Sequence, residues 1–186
     1  MIVLGIETST AVCSVGLVDD RGTRIHKSII EAHIHSEKLL TLVEEIASEA
    51  GRALSSLDAV AVSIGPGSFT GLRIGLSNAK GLCYALGKPL VTVPTFLAIA
   101  AATFRSSISA RKILVALDAK KGDYYVGLYA NGLQVVEIEG AGLVRIEEIM
   151  LKDWSEVPDL VVTDQPDTFR KSLGKSSCLD VHEFCR

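Results

Sequence analysis

The stretch Ile64-Gly65-Pro66-Gly67-Ser68-Phe69-Thr70-Gly71-Leu72-Arg73-Ile74-Gly75 constrains the fold more than any other segment of similar length. Its glycines and proline lie between a β-branched, apolar run (Val60 to Ile64) and a helix-compatible stretch (Leu72 to Leu86). That order predicts a strand, a tight turn and a helix N-terminus. Unpaired N–H groups and the helix dipole favour an anion at such a terminus. Glycines equally permit the close approach of another backbone, so a phosphate loop and a packing turn both stand at this level. Two common phosphate motifs are excluded. Between Gly65 and Gly71 lie five residues where a Walker A loop has four, and Arg73 is not followed by Ser or Thr. The dinucleotide pattern begins at Gly65 and Gly67 but meets Thr70 where its third glycine belongs.

Upstream, Ile2 to Ile6 is almost continuously apolar, as expected of a strand buried on both faces. Ala11 to Val18 and Thr23 to Ile30 follow as strands around the hairpin signal Asp19-Asp20-Arg21-Gly22. Leu39, Val43, Ile46 and Ala50 repeat with helical period, predicting a helix over His35 to Ala50 with Ser36 as its cap and Gly51 just past its end. Strand Ala59 to Ile64, helix Leu72 to Leu86, strand Leu90 to Val93 and a helix from Pro94–Thr95 to Phe104 complete a βββαβαβα order. Ser106 to Ala110 is the expected boundary. Beyond it come strands at Ile113–Leu117, Tyr124–Tyr129, Leu133–Ile138 and Leu160–Val162, and helices at Ile146–Leu151 and Pro166–Leu173. The tail from Lys175 has no clear period. A strand ending in an acid before a hairpin occurs twice, at Glu7 and at Asp118, which predicts two related lobes.

Hydrophobic residues make up 48% of the 186 and charged ones 22%, a composition that folds. The net charge of −3 argues against nonspecific nucleic-acid affinity, which needs Lys and Arg to neutralise phosphates. No apolar stretch reaches membrane-spanning length, and the N-terminus lacks the features of an export signal. Cys13, Cys83, Cys178 and Cys185 show no metal-binding or redox spacing, so reduced thiols in a cytoplasmic protein are expected.

Four blocks occur in order: Ile2-Val3-Leu4-Gly5-Ile6-Glu7-Thr8-Ser9, His35-Ser36-Glu37-Lys38-Leu39-Leu40, the Gly65–Gly75 string, and Asp118-Ala119-Lys120-Lys121-Gly122. Together they resemble the TsaB (YeaZ) family of tRNA threonylcarbamoyladenosine biosynthesis proteins. The resemblance covers residues 2 to about 130 and is thin from Gly140 onward. It implies an α/β, actin-like ATPase/sugar kinase (ribonuclease H-like) fold with two lobes, residues 1–106 and a shortened 107–186. It also implies a non-catalytic subunit that pairs pseudo-symmetrically with a TsaD-like catalytic subunit, joined by a TsaE-like ATPase. That assembly transfers a threonylcarbamoyl group from threonylcarbamoyl-adenylate to N6 of adenosine 37 in tRNAs reading codons that begin with A. ATP and the adenylate are then used by the complex, with no cofactor bound by this chain alone, and tRNA is met through the complex. Self-association without the partner stands open.

The residues offer two candidate sites and no catalytic or metal site. Glu7, Thr8, Ser9, Gly65, Gly67, Ser68, Thr70 and Asp118 form a candidate vestigial phosphate loop. His35, Leu39, Val43, Gly71, Arg73, Gly75, Asn78 and Ala79 form a candidate partner interface, carried by the two helices and the bare face that Gly71, Gly75 and Ala79 make every fourth residue. That face suits either a second helix or this chain's own sheet. A TsaD-like metal site needs a His pair spaced by three residues; after Gly75 only His182 remains, and His33 and His35 lack a third ligand. An independent ATPase or kinase of the same fold, and an M22-type metallopeptidase, are the alternatives.

Overall fold

Strand β1 (Ile2–Glu7) pairs antiparallel with β2 (Val12–Asp19) on one side and parallel with β4 (Ala59–Ser63) on the other, so its apolar run is covered along both edges. The computed structural model describes residues 1–30, 35–106, 109–151, 157–173 and 180–183. It divides the chain into Met1–Pro94 and Thr95–Arg186, each with its own five-stranded sheet.

In the first unit the order is β3-β2-β1-β4-β5, with β3 at Arg24–Ile30 and β5 at Leu90–Val93. Alternation along β2 sends Cys13, Val15 and Leu17 into the core. The β2–β3 turn is tied by Asp19, whose carboxylate accepts the N–H groups of Arg21 and Thr23, both at 2.9 Å. Helix α1 (His35–Glu49) buries Leu39, Leu42, Val43 and Ile46 against this sheet, and α2 (Phe69–Leu86) packs over β4. Ser36 lies inside the first turn of α1, so it is not the cap; the helix opens one residue earlier, at His35. Helix α2 likewise begins before the expected Leu72, at Phe69, because Ser68 caps it: the Ser68 Oγ accepts the Gly71 N–H at 3.2 Å.

The second unit repeats the plan. β6 (Lys112–Lys120) runs antiparallel to β7 (Asp123–Ala130) and parallel to β9 (Leu160–Thr163), in the order β10-β9-β6-β7-β8, with β8 at Val136–Arg145 and β10 at Asp180–Glu183. One face of β6 packs Ile113, Val115 and Leu117 with Phe96, Ile99, Ala100 and Phe104 of α3 (Thr95–Ser106). The boundary expected at residue 106 therefore moves to Pro94–Thr95, since α3 places its apolar side in the second core. The other face packs Leu114 and Ala116 with Ile149 of α4 (Ile146–Leu151) and Phe169 of α5 (Pro166–Leu173). Edge-to-face ring pairs brace both sides, Phe96 with Tyr129 at 6.5 Å and Tyr124 with Phe169 at 5.6 Å.

The strand expected at Leu133–Ile138 begins instead at Val136 and runs to Arg145. The chain turns first, with the Asn131 N–H donating to Arg111 O at 2.7 Å and Leu133 fully exposed. The tail, left without structure by its sequence, supplies β10, parallel to β9. Among the described residues no helix is long and apolar enough to cross a membrane.

Leu39 and Val43, candidates for a partner interface, are 0% and 1% exposed and belong to this chain's core. Leu39→Ala is expected to destabilise the protein by about 2–5 kcal/mol, read from the urea midpoint, because it leaves a cavity under α1.

Candidate functional site

Thr8 and Ser9 follow the last residue of β1 and are buried, each 1% exposed. Thr8 Oγ1 donates to the Gly71 carbonyl at 2.8 Å, and the Ser68 N–H donates to the Ser9 carbonyl at 2.6 Å. Those two bonds bring the end of β1 directly onto the first turn of α2. The glycines are the consequence. A Cβ on Gly71 would overlap the Thr8 carbonyl oxygen, one on Gly75 would overlap Thr8 Oγ1, and one on Gly67 would overlap the Ser9 carbonyl. Gly67 also holds φ at +153°.

Gly71, Gly75 and Ala79 are buried against this chain's own strands and not on an open face. The bare stripe accommodates backbone from β1, and its assignment to a partner interface is corrected accordingly. Gly71→Ala must push two backbones apart and is expected to cost about 3 kcal/mol of stability, measured by thermal and urea unfolding.

Glu7 is engaged in the same corner. Its Oε1 accepts the Ser9 N–H at 2.5 Å and its Oε2 accepts the Ser63 hydroxyl. So Glu7, Ser9 and Ser68 spend polar groups on one another and Thr8 on Gly71, while Gly65 and Gly67 shape the turn and Thr70 is exposed. Ser9 Oγ is buried without a hydrogen-bond partner.

Asp118 belongs to the second unit and organises the β6–β7 turn. It accepts the Lys120 N–H at 2.8 Å and pairs with Lys120 Nζ at 2.9 Å. Lys120, Lys121 and Gly122 follow with φ of 74°, 58° and 86°, a left-handed run that the Asp118 carboxylate pins at its start. The sequence missed Asp164, which accepts the Asp118 N–H at 3.0 Å. Its signal was available: an acid directly after the buried run Leu160–Thr163, as at Glu7 and Asp118. Burial pushes the Asp164 carboxyl above its ordinary value; the Asp118 N–H bond opposes this and the Asp118 charge adds to it.

A raised folded value means the favourable contribution is complete below the ordinary carboxylate pKa and is lost as pH rises through the raised one. Asp164→Asn keeps an oxygen for the Asp118 N–H and removes the buried charge. It is therefore expected to raise Tm at neutral pH, with the gain shrinking toward pH of about 4 in a melting series.

Of the remaining interface candidates, Arg73 is exposed, Asn78 is half-buried with its amide on Ile74 O at 2.9 Å, and His35 opens α1 with its side chain outside the described residues. Arg73 stacks on Phe69, its guanidinium carbon 3.8 Å from the ring centroid. Phe69, 67% exposed, and Tyr84, 92% exposed, were both missed. The sequence pattern starts the helix at Leu72 and leaves Phe69 in the loop; within α2 it stands four residues before Arg73, on the same face. With Ser36, Ser77 and Asn78, Phe69 and Arg73 line a shallow groove beside the start of α1. Burial raises the Cys13 and Cys83 thiols, so neither is an activated nucleophile. His33, Cys178 and Cys185 lie outside the described residues; among the rest no three His, Cys, Asp or Glu residues converge as a metal site would need.

Two sheets of matching order, each with three antiparallel strands and two parallel ones flanked by helices, define an actin-like ATPase fold. A sugar-bound ROK family protein from Streptococcus pneumoniae shares that fold, with a TM-score of 0.52 over 100% of this chain and 93% of its own, at 8% identity. Residues 29–168 match the family model of TsaD, tRNA N6-adenosine threonylcarbamoyltransferase. YeaZ from Pseudomonas aeruginosa superposes with a TM-score of 0.76 at 31% identity, over 87% of this chain and 74% of that one. The Escherichia coli tRNA threonylcarbamoyladenosine biosynthesis protein TsaB is 35% identical over 129 residues, 69% of this chain and 55% of that protein. A tRNA N6-adenosine threonylcarbamoyltransferase from Moorella thermoacetica is 38% identical over 108 residues, 49% of this chain and 31% of its own. The chain belongs to the TsaB (YeaZ) family. It spans about half the length of the curated TsaB relatives it matches.

Proposed function

We propose that this chain is a non-catalytic subunit of the cytoplasmic machinery that forms N6-threonylcarbamoyladenosine at position 37 of tRNAs reading codons that begin with A. It acts by docking onto a TsaD-like catalytic subunit through the exposed side of α2 and the neighbouring part of α1. A TsaE-like ATPase completes the assembly. ATP and threonylcarbamoyl-adenylate are used there, and tRNA is met through the complex.

The observation that carries this reading is the closed corner at Thr8–Ser9. In a nucleotide-handling protein, a Gly-rich turn before a helix keeps its N–H groups for phosphate. Here the Ser68 and Gly71 N–H groups go to Ser9 O and Ser68 Oγ, and the glycines admit β1 instead of a ligand. The likeness to TsaB and to the TsaD family model supports the same assignment.

Co-purification of this chain with the TsaD-like subunit from the same cell is expected to yield a complex. Transfer to tRNA by the reconstituted set should fall to background when this chain is omitted and return when it is added back. ATP turnover or modification by the purified chain alone, at rates typical of a dedicated catalyst, would exclude a non-catalytic role.

A further inference from the structure

We draw no further inference here: the strongest candidate, the face of the first sheet turned away from α1 and α2, where Gly5 pairs with Gly16 and where Val18 and Val91 are exposed, carries none because nothing in the structure shows what covers it.

Discussion

The contact between the end of β1 and the first turns of α2 sets the geometry of the whole first unit. Thr8 reaches the Gly71 carbonyl and Ser68 reaches the Ser9 carbonyl, so strand and helix meet backbone to backbone. Side chains ordinarily hold a helix some distance above a sheet. Here three positions have no side chain to do so, and α2 sinks until Ala79 is fully buried. The depth of that seat decides what α2 presents outward. With its small residues turned inward, the helix exposes Phe69, Arg73, Ser77 and Tyr84.

The same contact takes up polar groups at the end of β1 and the start of α2. Glu7 sits where the strand ends and accepts bonds from Ser9 and Ser63. In the second unit Asp118 restrains the left-handed turn at Lys120. Both acids have structural work within their own unit. Asp164 differs, because its burial opposes its charge, and the backbone N–H groups of Asp118 and of Asp164 itself, with the Lys120 charge, offset that in part.

Much of this was legible beforehand. Alternating or continuous apolar runs located β1, β2, β4, β6, β7 and β9, and helical period located α1, because in each the burial pattern follows the sequence pattern directly. What escaped depended on long-range partners. β10 is held by pairing with β9 and has no signature of its own, although the matching order of the two sheets makes it the counterpart of β5. Gly71, Gly75 and Ala79 were visible as a stripe, but periodicity cannot say which neighbour fills it. Leu39 and Val43 carried the same ambiguity: an apolar helical face is the core face in a lone chain. Phe69 was lost through the position of a single cap, since Ser68 starts the helix one turn before its hydrophobic pattern becomes evident.

Strand β8 has a cost of a different kind. It is the outermost strand of its sheet, and its stretch Gly140-Ala141-Gly142-Leu143 is almost wholly solvent-facing. An unpaired rim of N–H and C=O groups is a template on which a foreign chain can add itself. Glu137, Glu139 and Arg145 place charge along that rim, and irregular pairing at Val126–Tyr129 interrupts the ladder it shares with β7. These gatekeepers leave the strand free to complete its own sheet while denying a continuous flat border to neighbouring molecules at high concentration.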